Sequence, residues 1–242
     1  MRRAALSLLA LTALVAGVWR GEAAPSRAAV TVPGVRIWVQ PGVPAGAAQA
    51  TAARFGRLVS VIDADFPPHG HPVITLRFYA THAGFAAALH RLEGVWPQRQ
   101  GDNVGNIVGT VLPLGPDSGL LTHNLAHVYT EWVLDRLTGN AVDRQPSPAW
   151  LYDGIAEYEA DRRGAPVPCR LTGGYVVPML QLVSPRDWWR VRGTIYQGLA
   201  YCEAEDAVSR IVRRIGWVRL RELLQGRATW NRFAAHVLPH GR

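Results

Sequence analysis

The sequence predicts an α+β fold, with a small N-terminal β-sheet lobe carrying helices and a mainly helical lobe after it. Three observations support this. β-Branched, partly alternating segments occur in the first half, at 28–40, 71–79 and 106–114. Apolar residues at helical spacing separate them and dominate from residue 120 onward. A length of 242 residues, with 48% hydrophobic and 18% charged, describes a globular chain with enough material for a core. The expected boundary between the lobes falls near residue 115, so 24–115 and 116–242 form one domain of two parts.

In chain order, the basic pair Arg2-Arg3 precedes an apolar stretch from Ala4 to Trp19, and Gly21-Glu22-Ala23 offers small residues at −3 and −1. This pattern predicts a signal peptide, residues 1–23, and hence export to the periplasm, envelope or exterior. An uncleaved N-terminal anchor is the alternative, although the stretch is short for a span of ~20 residues. Residues 28–40 read as a strand or hairpin, broken by Pro41 and Pro44. Ala48, Ala52, Phe55, Val59 and Ile62 place a helix over 45–65. The segment 71–79 alternates as a strand, and Thr81 is placed to cap a helix over 82–93. Residues 101–105 are polar and read as a turn before a strand at 106–114. Helices are expected at 120–137, 149–163, 177–182, 193–215 and 216–225, with a final segment from Trp230.

The formal charge of +8 raises the question of nucleic acid. All 26 basic residues are arginine, scattered with no run longer than two, and neither a basic stripe nor a binding motif is present, which argues against that partner. Beyond the N-terminus no stretch is long and apolar enough to span a membrane. Cys169 and Cys202 can form a disulfide in an exported chain or remain two buried thiols, and their spacing does not choose.

Chemistry concentrates in the helix over 120–137. His123 and His127 stand at i and i+4, one turn apart on one face, so both imidazoles can reach one metal ion. In the H-E-x-x-H pattern the residue after the first histidine is the glutamate general base. Here it is Asn124, whose amide cannot take a proton. A zinc site needs a third protein ligand, and Asp153 is the best candidate. Glu131 and Glu157, one turn beyond His127 and Asp153, are placed to hydrogen-bond the ligand imidazoles. The remaining histidines lack ligand spacing. Trp188 and Trp189 are read as packing residues of the helical half.

The H-N-L-A-H segment followed by Pro148-Ala149-Trp150-Leu151-Tyr152-Asp153-Gly154-Ile155-Ala156-Glu157-Tyr158 resembles the gluzincin metallopeptidases, especially small peptidase MA-like domains. The resemblance extends over roughly 32–235, with its specific part at 120–158. It implies a zincin-like fold with the site cleft between the lobes and zinc on His123, His127 and Asp153. It also implies that Tyr196 falls near the position of the family's oxyanion-stabilising tyrosine, although the spacing to the next glycine is one residue short; a buried or rim tyrosine is the alternative. Two departures stand out: Asn124 replaces the base, and Asp153 replaces a glutamate ligand. The expectation is a homologue with impaired or absent hydrolysis that binds a peptide or protein. The rivals are an active peptidase with an unorthodox base and a metal-free structural domain.

Overall fold

A mixed sheet is built from β1 (Val35–Val39), β2 (Ile74–Tyr79), β3 (Gly101–Val104) and β4 (Ile107–Val111) in the order β1-β2-β4-β3. The computed structural model describes residues 34–67, 73–93, 101–104, 107–111, 119–139, 148–164, 182, 184–192 and 197–226. β1 runs parallel to β2, with Val35 opposite Ile74, and β2 runs parallel to β4, with Thr75 opposite Ile107. β3 is an antiparallel edge strand, with Gly101 opposite Thr110. The expected turn at 101–105 is therefore corrected to a strand over its first four residues. Asp102 and Asn103 disfavour strands, but an edge position pairs the backbone on one side and tolerates them.

Strand alternation sorts the side chains onto two faces. Val39, Ile74, Leu76, Phe78 and Val108 join the main core, whereas Tyr79 and Val111 meet Phe85, Ala88 and Leu89 on the other side. The helices are α1 (Ala45–Asp65), α2 (His82–Glu93), α3 (Gly119–Thr138), α4 (Ala149–Arg163), α5 (Pro185–Arg192) and α6 (Gln197–Leu224). α1 contributes Phe55 and Ile62 to the main core, and α2 covers the second face with Phe85 and Leu89. Thr81 caps α2 as its position predicts, its hydroxyl accepting from the Gly84 N–H at 3.1 Å.

α3 links the two halves, lying against α1, β3, β4 and α4. Tyr129 shows how: its ring meets Phe55 edge-on at 5.3 Å, and its hydroxyl donates to Asp63 of α1 at 2.7 Å. The main core continues without interruption from Phe78 through Trp132 and Trp150 to Leu220, so sheet and helices share one interior. Among the described residues every strand lies before residue 112. This matches the expected α+β order.

α6 packs along α4, and Gly154 permits the approach. A Cβ on Gly154 would stand 2.7 Å from the Ala204 carbonyl oxygen. α6 breaks at Gly216 (φ 70°), where two separate helices were expected. Beyond the break, Trp217 stacks edge-on against Phe66 at 4.6 Å and near Tyr158 at 5.8 Å. α5 was not expected. Ser184 caps it, accepting from the Asp187 N–H at 3.2 Å, and Pro185 opens it.

Cys202 on α6 is disulfide-bonded, and the chain's other cysteine is Cys169. No helix among the described residues is long and apolar enough to cross a membrane. The expected signal peptide, residues 177–181 of the expected helix at 177–182, Tyr196 and the segment from Trp230 lie outside the described residues.

One stability prediction arises here. Burial pushes the Asp135 carboxyl up to about 6, the Glu131 charge adds to this, and Arg136 opposes it. A folded pKa above the unfolded value near 3.9 means that the native state takes up the proton more readily. Asp135 therefore destabilises above pH 6, and this penalty disappears as pH falls toward 4. Asp135→Asn is expected to stabilise by about 1–2 kcal/mol at pH 7.5 and by almost nothing at pH 4. Calorimetry at both pH values checks this, and equal shifts at the two would contradict it.

Candidate metal centre

Two helices present facing stripes of polar residues. On α3, His123, His127 and Glu131 recur at i, i+4 and i+8, and on α4, Asp153, Glu157 and Asp161 do the same. The contacts run in opposite senses. His123 meets Glu157 and Asp161, whereas His127 meets Glu157 and groups with Asp153, so the helices pack antiparallel.

Glu157 sits between the histidines. Its Oε2 is 3.1 Å from His123 Nε2, and its Oε1 is 3.1 Å from His127 Nδ1. His123 Nδ1 lies 3.1 Å from Asp161 Oδ1, and His127 Nε2 lies 3.3 Å from Glu131 Oε1. His123 is 4% exposed and Asp153 6%, so the ladder is largely withdrawn from water.

The electrostatics follow from this geometry. Burial opposes the charge on Glu157, but hydrogen bonds from His123 and His127 outweigh it and hold the carboxyl at about 2. Burial likewise works against a charged His127, yet Glu131 and Glu157 raise its pKa well above the usual imidazole value.

The expected ligands His123, His127 and Asp153 are all on this ladder, but not in one group. His127, Glu131 and Asp153 form one set of candidate ligand atoms within 4.8 Å of one another, and His123, Glu157 and Asp161 form another. Glu157 touches both imidazoles because antiparallel packing puts it opposite the midpoint of the histidine pair. Asp153 lies a turn away beside His127, and its Oδ2 accepts a hydrogen bond from the Trp188 indole N–H. Trp188 is 1% exposed, so this tryptophan both packs the core and holds an acid of the ladder.

Three site residues were missed. Asp161 was legible as the third member of the Asp153-Glu157 stripe. Tyr201 lies on α6 with its ring 6.3 Å from His127 and 5.8 Å from Trp188. Glu205, one turn further along α6, hydrogen-bonds Asp161. Burial and the neighbouring Asp161 and Glu157 charges push it up to about 7. Nothing local to α6 announces either residue. Asn124 is half-buried on α3 between the histidines.

Gly164, which ends α4, fixes the start of the ladder. A Cβ there would fall 2.6 Å from the His123 backbone nitrogen, so the end of α4 lies directly against the first histidine. Five carboxyl groups thus surround two imidazoles in a chain whose formal charge is +8. Nitrogen and carboxylate oxygen donors at this density suit a divalent cation such as zinc. N–O separations of 3.1 Å serve an ion pair and are also close to the ~3.3 Å edge of a tetrahedron with ~2.0 Å bonds. The residues present fit a metal ion.

Comparison of the chain with models of known protein families and with curated proteins returned no match.

Proposed function

We propose that this chain is an exported, zincin-like homologue of the gluzincin metallopeptidases that holds zinc on the α3–α4 ladder and binds a peptide or protein without cleaving it at ordinary rates. The observation that carries the reading is Glu157 placed between His123 and His127, with Asp153 and Asp161 on either side. Zinc, when bound, would polarise a carbonyl and activate water. The residues that would hold it are His127 with Glu131 and Asp153, or His123 with Glu157 and Asp161, with Trp188 holding Asp153 and Tyr201 beside His127.

Impairment follows from the missing base. Asn124 cannot accept a proton. Glu131 and Glu157 are occupied by the imidazoles, and a carboxyl held at about 2 is a poor base at neutral pH. The disulfide at Cys202 supports export, since such bonds persist in oxidising compartments.

Two other readings each have one observation in their favour. An active peptidase with a displaced base would use Glu205, whose carboxyl faces the ladder from α6. A metal-free structural domain is favoured by the mutual pairing of imidazoles and carboxylates.

Metal analysis and a fluorogenic peptide assay on the natural protein test the proposal. The expected result is about one zinc per chain with no chelator-sensitive cleavage. Chelator-sensitive turnover at ordinary rates, lost in His123→Ala and Glu205→Gln, would overturn it in favour of the displaced base. Metal-free protein with unchanged thermal stability in added zinc would favour the structural reading.

A further inference from the structure

A cavity of about 630 Å³ opens where α1, the start of α3 and the end of α4 converge, lined by Arg54, Arg57, Thr122, Arg162, Arg163 and Gly164 among others. Four guanidinium groups, from Arg54, Arg57, Arg162 and Arg163, line one cavity. Two carboxylates, Asp65 and Glu159, are each contacted by both Arg162 and Arg163.

These two carboxylates act as fixtures. Arg162 contacts both through Nη1, at 3.3 Å to Asp65 and 2.6 Å to Glu159. Arg163 contacts both through Nη2, at 3.0 and 3.1 Å. Glu159 is fully buried, so the end of α4 is held rigidly. One terminal nitrogen of each guanidinium takes these contacts, and an arginine carries five N–H donors in a planar fork. The Arg163 Nε is buried and has no hydrogen-bond partner.

The opposite wall is set differently. Arg54 donates from Nη1 to the Thr122 hydroxyl at 2.7 Å, which pins its stem across the first turn of α3. Arg57, one turn nearer the C-terminal end of α1, is exposed and makes no ion pair with a described residue. The first turn of α3, with Gly119 and Thr122 on the cavity, adds the positive end of a 20-residue helix.

We propose that this cavity binds a ligand through an oxyanion group, a phosphoryl or carboxylate, clamped between Arg57 and Arg54 on α1 and the paired arginines of α4. Planar guanidinium forks recognise both groups in bidentate fashion. The volume exceeds that of a single ion, so the anion is one end of a larger molecule. The site is distinct from the histidine ladder but adjoins it, because Thr122 and Gly164 both flank His123.

Calorimetric titration at low ionic strength tests this with inorganic phosphate, acetyl-trialanine with a free carboxylate, and the amide of that peptide. Arg57→Glu removes an exposed arginine that makes no ion pair with a described residue. Arg213→Glu, exposed on α6, makes the same charge change elsewhere. The expected result is saturable one-site binding of phosphate or the free peptide, weakened at least about 10-fold by Arg57→Glu and within twofold of natural for Arg213→Glu. Tighter phosphate assigns a phosphorylated ligand, and tighter carboxylate over amide assigns a peptide end. Absence of saturable binding by either probe, or equal weakening by both variants, overturns the proposal.

Discussion

Asn124→Glu is expected to raise zinc-dependent peptide hydrolysis by about 10²–10⁴-fold over the natural chain, the factor that a positioned general base supplies. The position lies between the two histidines on α3, and its side chain is half-buried, so one added methylene meets no closed core. Every other carboxylate of α3 and α4 near the imidazoles is already engaged by them or by Trp188. The double variant with His123→Ala should return activity to background. A variant that keeps zinc and gains nothing would show that the ladder does not present the metal to substrate.

Glu157→Ala is expected to lower zinc affinity by at least about 100-fold, more than the 10–100-fold typical when a residue that only orients a ligand is lost. Its two oxygens serve both imidazoles, so one substitution removes the shared carboxylate and leaves His127 to Glu131 alone. Asp153→Ala gives the useful comparison. If Asp153 is the third ligand, as the P-x-W-L-x-D-G segment implies, its loss should cost more than the loss of Glu157. The geometry favours the opposite ranking, because Asp153 already spends one oxygen on Trp188. Competitive zinc titration of the two variants decides between them.

Much of this fold was legible because its signals are local. Helical periodicity placed α1, α2 and α4 at their observed bounds, and Thr81 announced its cap. β3 was read as a turn because Asp102 and Asn103 disfavour strands, and pairing with β4 is a tertiary effect. The Ser184-Pro185-Arg186-Asp187 segment carries a local start signal for α5, next to the two tryptophans.

At the site, the histidine pair and the two α4 acids were visible as i, i+4 repeats, and Asp161 extended the same repeat. Which acid lies between the histidines was not readable. It depends on how far α3 and α4 slide past one another, set here by Gly164 against His123. Glu205 and Tyr201 reach the ladder because Gly154 lets α6 close on α4, a contact between residues 50 positions apart. The bond from Trp188 to Asp153 is of the same kind.

Zinc titration of the natural, chelator-stripped protein against a competing indicator tests the central claim most directly. One equivalent bound with sub-micromolar affinity, lost in His123→Ala and in Glu157→Ala, is the result expected of a metal centre on the α3–α4 ladder. No saturable zinc binding, or binding that survives both substitutions, would contradict it.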